Sequence, residues 1–158
     1  MMRIILFISI FVAQVFSDTF PTALGECALE IYGGRVDDIP EIVQLIKDES
    51  VILVDELGEV NIRSYSVYIT SNMEDFYEKS KGPVPEWGIA LAKLNPDRAI
   101  LKSPGLANIS FIRMKEVIGH ELNHIYMFRI PNYYTMPSWF KEGMAMAGSN
   151  EFSLLHKI

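Results

Sequence analysis

Apolar residues recur every three to four positions over two long stretches of this chain, and between them the pattern shortens to alternation. In the first stretch Ile42, Leu45, Ile46, Ile52, Leu53 and Leu57 hold helical spacing up to Gly58, which predicts one helix with an interruption near Ser50. Asp37-Asp38-Ile39-Pro40 reads as its start: an acidic cap, a proline in the first turn, and Glu41 where the helix dipole favours negative charge. Asp48, Glu49, Asp55 and Glu56 read as its solvated face. A calcium loop is excluded because the glycine it needs among the ligands is missing.

Tyr65 to Thr70 alternates in a β-rich composition and predicts a strand. Ser71 or Asn72 then caps a short helix from Met73 to Lys79. After a loop at Lys81-Gly82-Pro83-Val84-Pro85, Trp87 to Leu94 and Arg98 to Lys102 read as two strands joined by Asn95-Pro96-Asp97, a turn by composition. Ser103-Pro104-Gly105 breaks the sheet. The second long periodic stretch predicts a helix from about Ile109 to Arg129, stopped by Pro131, with Met114, Ile118, Leu122 and Ile125 as its core stripe. Asn132 to Met136 is a loop, and Pro137 opens a further helix through about Gly148.

The N-terminus follows neither period. Met1-Met2-Arg3 gives a positive start, Ile4 to Phe16 a thirteen-residue apolar run, and Val15-Phe16-Ser17 small residues at cleavage positions, so residues 1–17 read as a signal peptide cut after Ser17. Thirteen apolar residues fall short of the roughly 20 that span a bilayer, so no stable membrane span is expected once the signal is removed. The product is expected to be secreted or periplasmic. Residues 18–36, with Pro21, Gly25, Gly33 and Gly34, read as a loosely ordered lead-in with at most a short strand or turn around Ala28 to Tyr32. Residues 37–158 then form a single domain, within reach of a core that needs no staples.

Charge narrows the partners. Removing Met1 to Ser17 takes away only Arg3 and leaves 13 basic and 20 acidic residues, a net charge of −7, with no basic stripe, so nucleic acid is excluded as a partner. Cys27 is the lone cysteine and reads as a small packed residue, which rules out an intrachain disulfide and a cysteine-based metal site.

The chemistry lies in His120-Glu121-Leu122-Asn123-His124, near the end of the long helix. Residues four apart on a helix lie one turn apart on one face, so both imidazoles reach a single ion. A catalytic zinc keeps three protein ligands and leaves a position for water; Glu142, 18 residues after His124, is the candidate third ligand. Glu121 points from the same helix toward that water and is the candidate general base. The core stripe sits about 135° around the helix from the histidines, so the helix packs on one side and faces a cleft on the other.

His120-Glu121-x-x-His124, followed by Pro137-x-Trp139-x-x-Glu142-Gly143-x-Ala145, resembles the gluzincin zinc metalloproteases of the peptidase MA-like superfamily, over about Ser66 to Ala147. The resemblance implies a zinc peptidase acting on peptides or proteins, with His120, His124 and Glu142 as metal ligands and Glu121 as general base and acid. It implies an α+β, zincin-like fold: a small twisted, mostly antiparallel sheet on the active-site helix, whose edge strand, here Trp87 to Leu94, pairs with extended substrate. Candidate oxyanion donors are Tyr133, Tyr134 and His156, and Trp139 and Phe140 are expected to pack in the core. The chain departs from thermolysin-like relatives at Met146, where they carry an acidic residue that orients the first ligating histidine. Only sixteen residues follow Glu142, too few for the helical subdomain that walls the cleft in larger gluzincins. The competing readings are a non-catalytic zinc-binding module and a structural exported domain with a coincidental motif.

Overall fold

The structure is a computed structural model that describes residues 15–33, 39–81, 84 and 88–149. The expected signal segment up to residue 14, Trp87, most of the loop at 81–85 and His156 fall outside the described residues. Among the described residues no helix is long and apolar enough to cross a membrane.

The fold is α+β. Strands β1 (Val15–Thr22), β2 (Gly25–Tyr32), β3 (Ser64–Thr70), β4 (Ala90–Lys93) and β5 (Arg98–Lys102) form one sheet in the order β1-β2-β3-β5-β4. The helices are α1 (Ile39–Leu57), α2 (Met73–Ser80), α3 (Pro104–Ala107), α4 (Phe111–Met127) and α5 (Ser138–Gly148). Two pairings, β1 with β2 and β4 with β5, are antiparallel; β2 with β3 and β3 with β5 are parallel. The sheet is therefore mixed rather than mostly antiparallel. The cause is the segment expected to be a loose lead-in: β2 runs on through α1 into β3, and a helical crossover of this kind joins parallel strands.

Strands β1 and β2 form a hairpin whose Phe20, Leu24, Cys27, Leu29 and Ile31 share one buried cluster with α1 and α4. At the turn Gly25 has φ +139°, and a β carbon there would collide with the carbonyl of Ile62, so glycine is required. A chain cut after Ser17 would begin inside β1 and keep Asp18 to Thr22 of it.

Strand β3 is covered on both faces, as its central place demands. Val67 and Ile69 join Ala99 and Leu101 of β5 under α1 and α4, while Tyr68 and Ile100 point the other way onto Phe76 of α2. Alternation thus sends successive residues into two separate apolar layers.

Helix α1 runs unbroken past Ser50, and Glu49, expected in solvent, is buried at 7% exposure against α4. Its end is held by Tyr126 of α4, whose hydroxyl donates to the carbonyls of Leu57 at 2.7 Å and Gly58 at 3.1 Å, groups that a helix terminus otherwise leaves unpaired. The sheet ends at Lys102, as expected of Ser103-Pro104-Gly105; Ser103 caps α3, with Pro104 in its first turn, a one-turn helix set apart from α4 by Asn108 at φ 53°. Ser110 accepts from the Arg113 amide at 3.1 Å and starts α4 afresh.

Candidate metal centre

Helix α4 carries the site on one stripe. Arg113, Val117, His120, Glu121, His124 and Phe128 line a cleft of about 540 Å³ beneath β4. At about 100° per residue these six positions fall within roughly 100° of arc. Met114, Ile118, Leu122 and Ile125 occupy the neighbouring arc and are all buried, as expected from their spacing. The opposite wall is Gly88 and Ile89 with Ala90, Leu91 and Ala92 of the edge strand β4, and Tyr133, Glu142 and Met146 close the remaining side.

Three contacts hold these walls in place. The Arg129 guanidinium at the end of α4 pairs with buried Asp97 in the β4-β5 turn, fixing the edge hairpin over the helix. Beyond α4, Asn132 takes φ 66° and a 3₁₀ turn at Tyr133–Thr135 redirects the chain into α5. Tyr133 stacks edge-on against Phe128 at 5.1 Å and lies under the Lys141 ammonium at 4.7 Å, which ties the first turns of α5 to the end of α4.

Glu142 consequently faces the two histidines. Nε2 of His120 lies 3.1 Å from Nε2 of His124, 3.4 Å from Oε2 of Glu142, and Nε2 of His124 lies 3.6 Å from Oε1 of Glu142. Ligand atoms bound tetrahedrally to an ion at about 2.0–2.1 Å stand about 3.3 Å apart, and the three side chains approach one another at about that spacing, the carboxylate meeting each imidazole through a different oxygen. Both imidazoles are mostly buried, with side-chain exposures of 16% and 12%, whereas the Glu142 side chain is 58% exposed, leaving the site open to the cleft. The His124 pKa is lowered, first by burial, which disfavours the imidazolium, and then by His120; Glu142 opposes the shift. A neutral imidazole keeps the lone pair that a ligand needs.

Glu121 is buried at 6% exposure and lines the same cleft. Tyr133 also lines it, and its hydroxyl pKa is raised by burial and by the nearby Glu142 charge. Tyr134 is 75% exposed and off the cleft wall. Trp139 and Phe140, expected in the core, are instead exposed at 74% and 40%: no described element packs over the first turn of α5. Cys27 is fully buried beside Tyr65, and burial pushes its thiol pKa up to about 12, so it is a packed residue.

Sequence reasoning missed Arg113, Val117 and Phe128. Walking the helix back from His120 by three and seven positions, and forward from His124 by four, reaches all three. The chain matches no protein-family model, no curated protein and no solved structure.

Proposed function

We propose that this chain is an exported zinc-dependent peptidase of gluzincin type, with His120, His124 and Glu142 holding the metal. The observation that carries the reading is the convergence of His120, His124 and Glu142 from two helices: the two Nε2 atoms lie 3.1 Å apart, and the Glu142 carboxylate stands 3.4 Å from one and 3.6 Å from the other through its two oxygens. The apolar run Ile4 to Phe16 behind Arg3 supports export.

When bound, the ion supplies a Lewis acid that activates a water and polarises the scissile carbonyl. Glu121 takes the proton of the attacking water and returns it to the amine nitrogen as the C–N bond breaks. Tyr133, which keeps its proton through neutral pH, is the cleft-lining hydroxyl suited to donate to the developing oxyanion. Strand β4 ends the sheet and lines the cleft, so an extended substrate pairs with its outer edge.

The test is Glu121→Gln in a peptide-library digest, with zinc measured on the same sample. The variant should keep its zinc and lose about 10²- to 10⁴-fold in kcat/KM. Cleavage at the parent rate by the variant would refute the assignment.

A further inference from the structure

Helix α4 carries more than the metal site on its cleft face. Arg113, seven residues before His120, sits on the same stripe two turns nearer the start of the helix, and Val117 separates them. Among the described residues that line the cleft, Arg113 is the one lysine or arginine. Its side chain is 39% exposed, and its Nη1 donates to Oε2 of Glu116 at 2.6 Å, with Glu116 itself buried. That bond holds the guanidinium beside Glu116 at the cleft wall. This guanidinium sits in the first turn of α4, beside the positive end of the helix dipole.

We propose that Arg113 determines substrate specificity by binding a carboxylate carried by the peptide, an inference that rests on the peptidase reading above. The distance sets the position. Seven residues of helix rise about 10 Å, and a peptide lying along α4 would advance about 3.3 Å per residue, which would put the carboxylate about three residues from the cleaved bond. A free C-terminus and an acidic side chain share this chemistry, and a planar guanidinium receives either.

The experiment has a cleavage arm and a binding arm, both on the full chain loaded with zinc. The cleavage arm digests matched peptides that end in a free carboxylate or an amide, or that carry Glu or Gln two to four residues from the cut bond. The binding arm measures Kd for the same peptides on Glu121→Gln protein. The expected result is about a 10- to 100-fold preference for the carboxylate form in one of the two pairs, expressed in KM and in Kd rather than in kcat. Arg113→Gln should erase that preference while keeping its zinc, and Arg113→Lys should retain part of it. The pair that shows the preference identifies the carboxylate as terminal or side-chain.

Cleavage with no acid-over-amide preference, or a preference that survives in Arg113→Gln, would overturn the role of Arg113 and leave the peptidase reading standing. Absence of cleavage in every peptide would sink the peptidase reading. If carboxylate peptides then also failed to bind better than their amides, the Arg113 inference would fall with it.

Discussion

Gly148 of α5 stands so close against Asn123 of α4 that a methyl group at position 148 would fall on the Asn123 amide nitrogen. Asn123 is fully buried, and among the described residues neither its side-chain nitrogen nor its oxygen has a hydrogen-bond partner, so the amide fills space between the helices. This close approach, one residue from His124 and six from Glu142, brings α4 and α5 together.

Gly148→Ala should therefore destabilise the chain by about 1–3 kcal/mol through overpacking. Asn123→Ala in the same chain makes room for the methyl, and the double variant should recover at least about 0.5 kcal/mol relative to the summed single losses. Urea unfolding of the three variants measures this coupling. Additive losses would show that the two residues do not press on one another.

Glu49 gives stability a pH dependence. Its carboxyl is packed against Gly119, and burial raises its pKa, while Lys115 opposes the shift. The folded state then holds the proton more tightly than the unfolded chain, so stability falls as pH rises from the ordinary value of 4.5 through the raised one. Glu49→Gln removes the ionisable group. Its unfolding free energy minus that of the parent should grow across this window and level off above it, as read from urea midpoints between about pH 4 and 8. A difference that stays flat with pH would contradict the burial of this carboxylate.

Trp139 and Phe76 make a contrasting pair. Trp139 is 74% exposed, so Trp139→Ser should change stability by less than about 0.5 kcal/mol. Phe76 is fully buried between the sheet and α2, so Phe76→Ala should cost about 3–5 kcal/mol. Thermal melts of the two variants distinguish them, and a large loss at Trp139 would mean that its ring is covered.

These contrasts also mark what could be read without coordinates. The stripe of Met114, Ile118, Leu122 and Ile125 was legible because a helix buried on one face repeats its burden every turn, and the same period placed His120 and His124 together. The strand at β3 and the helix after it were legible for the same local reason. The β1-β2 hairpin was not. Strand β1 is an edge in which only Phe20 is buried among the residues from Phe16 to Thr22, so no alternation marks it, and its first residues merge with the apolar run before it. With that hairpin hidden, the parallel pairing of β2 with β3 was hidden too.

Large aromatics carry a strong expectation of burial, and Trp139 and Phe140 went against it because the elements around them, not their own chemistry, decide what is covered. Glu49 erred in the opposite sense: a carboxylate among other acids reads as solvated, and only the packing of α1 on α4 buries it. Glu142 became a candidate ligand from the motif alone. Its meeting with both histidines depends on the turn at Asn132 and the Gly148 contact, which spacing along the chain does not encode.

Zinc binding by the purified chain and by three single variants tests the account most directly. After dialysis against zinc, the parent should carry one ion per chain, while His120→Ala, His124→Ala and Glu142→Ala should each bind it more weakly, by at least about tenfold. A parent that takes up no zinc, or variants that hold it as tightly as the parent does, would contradict the account.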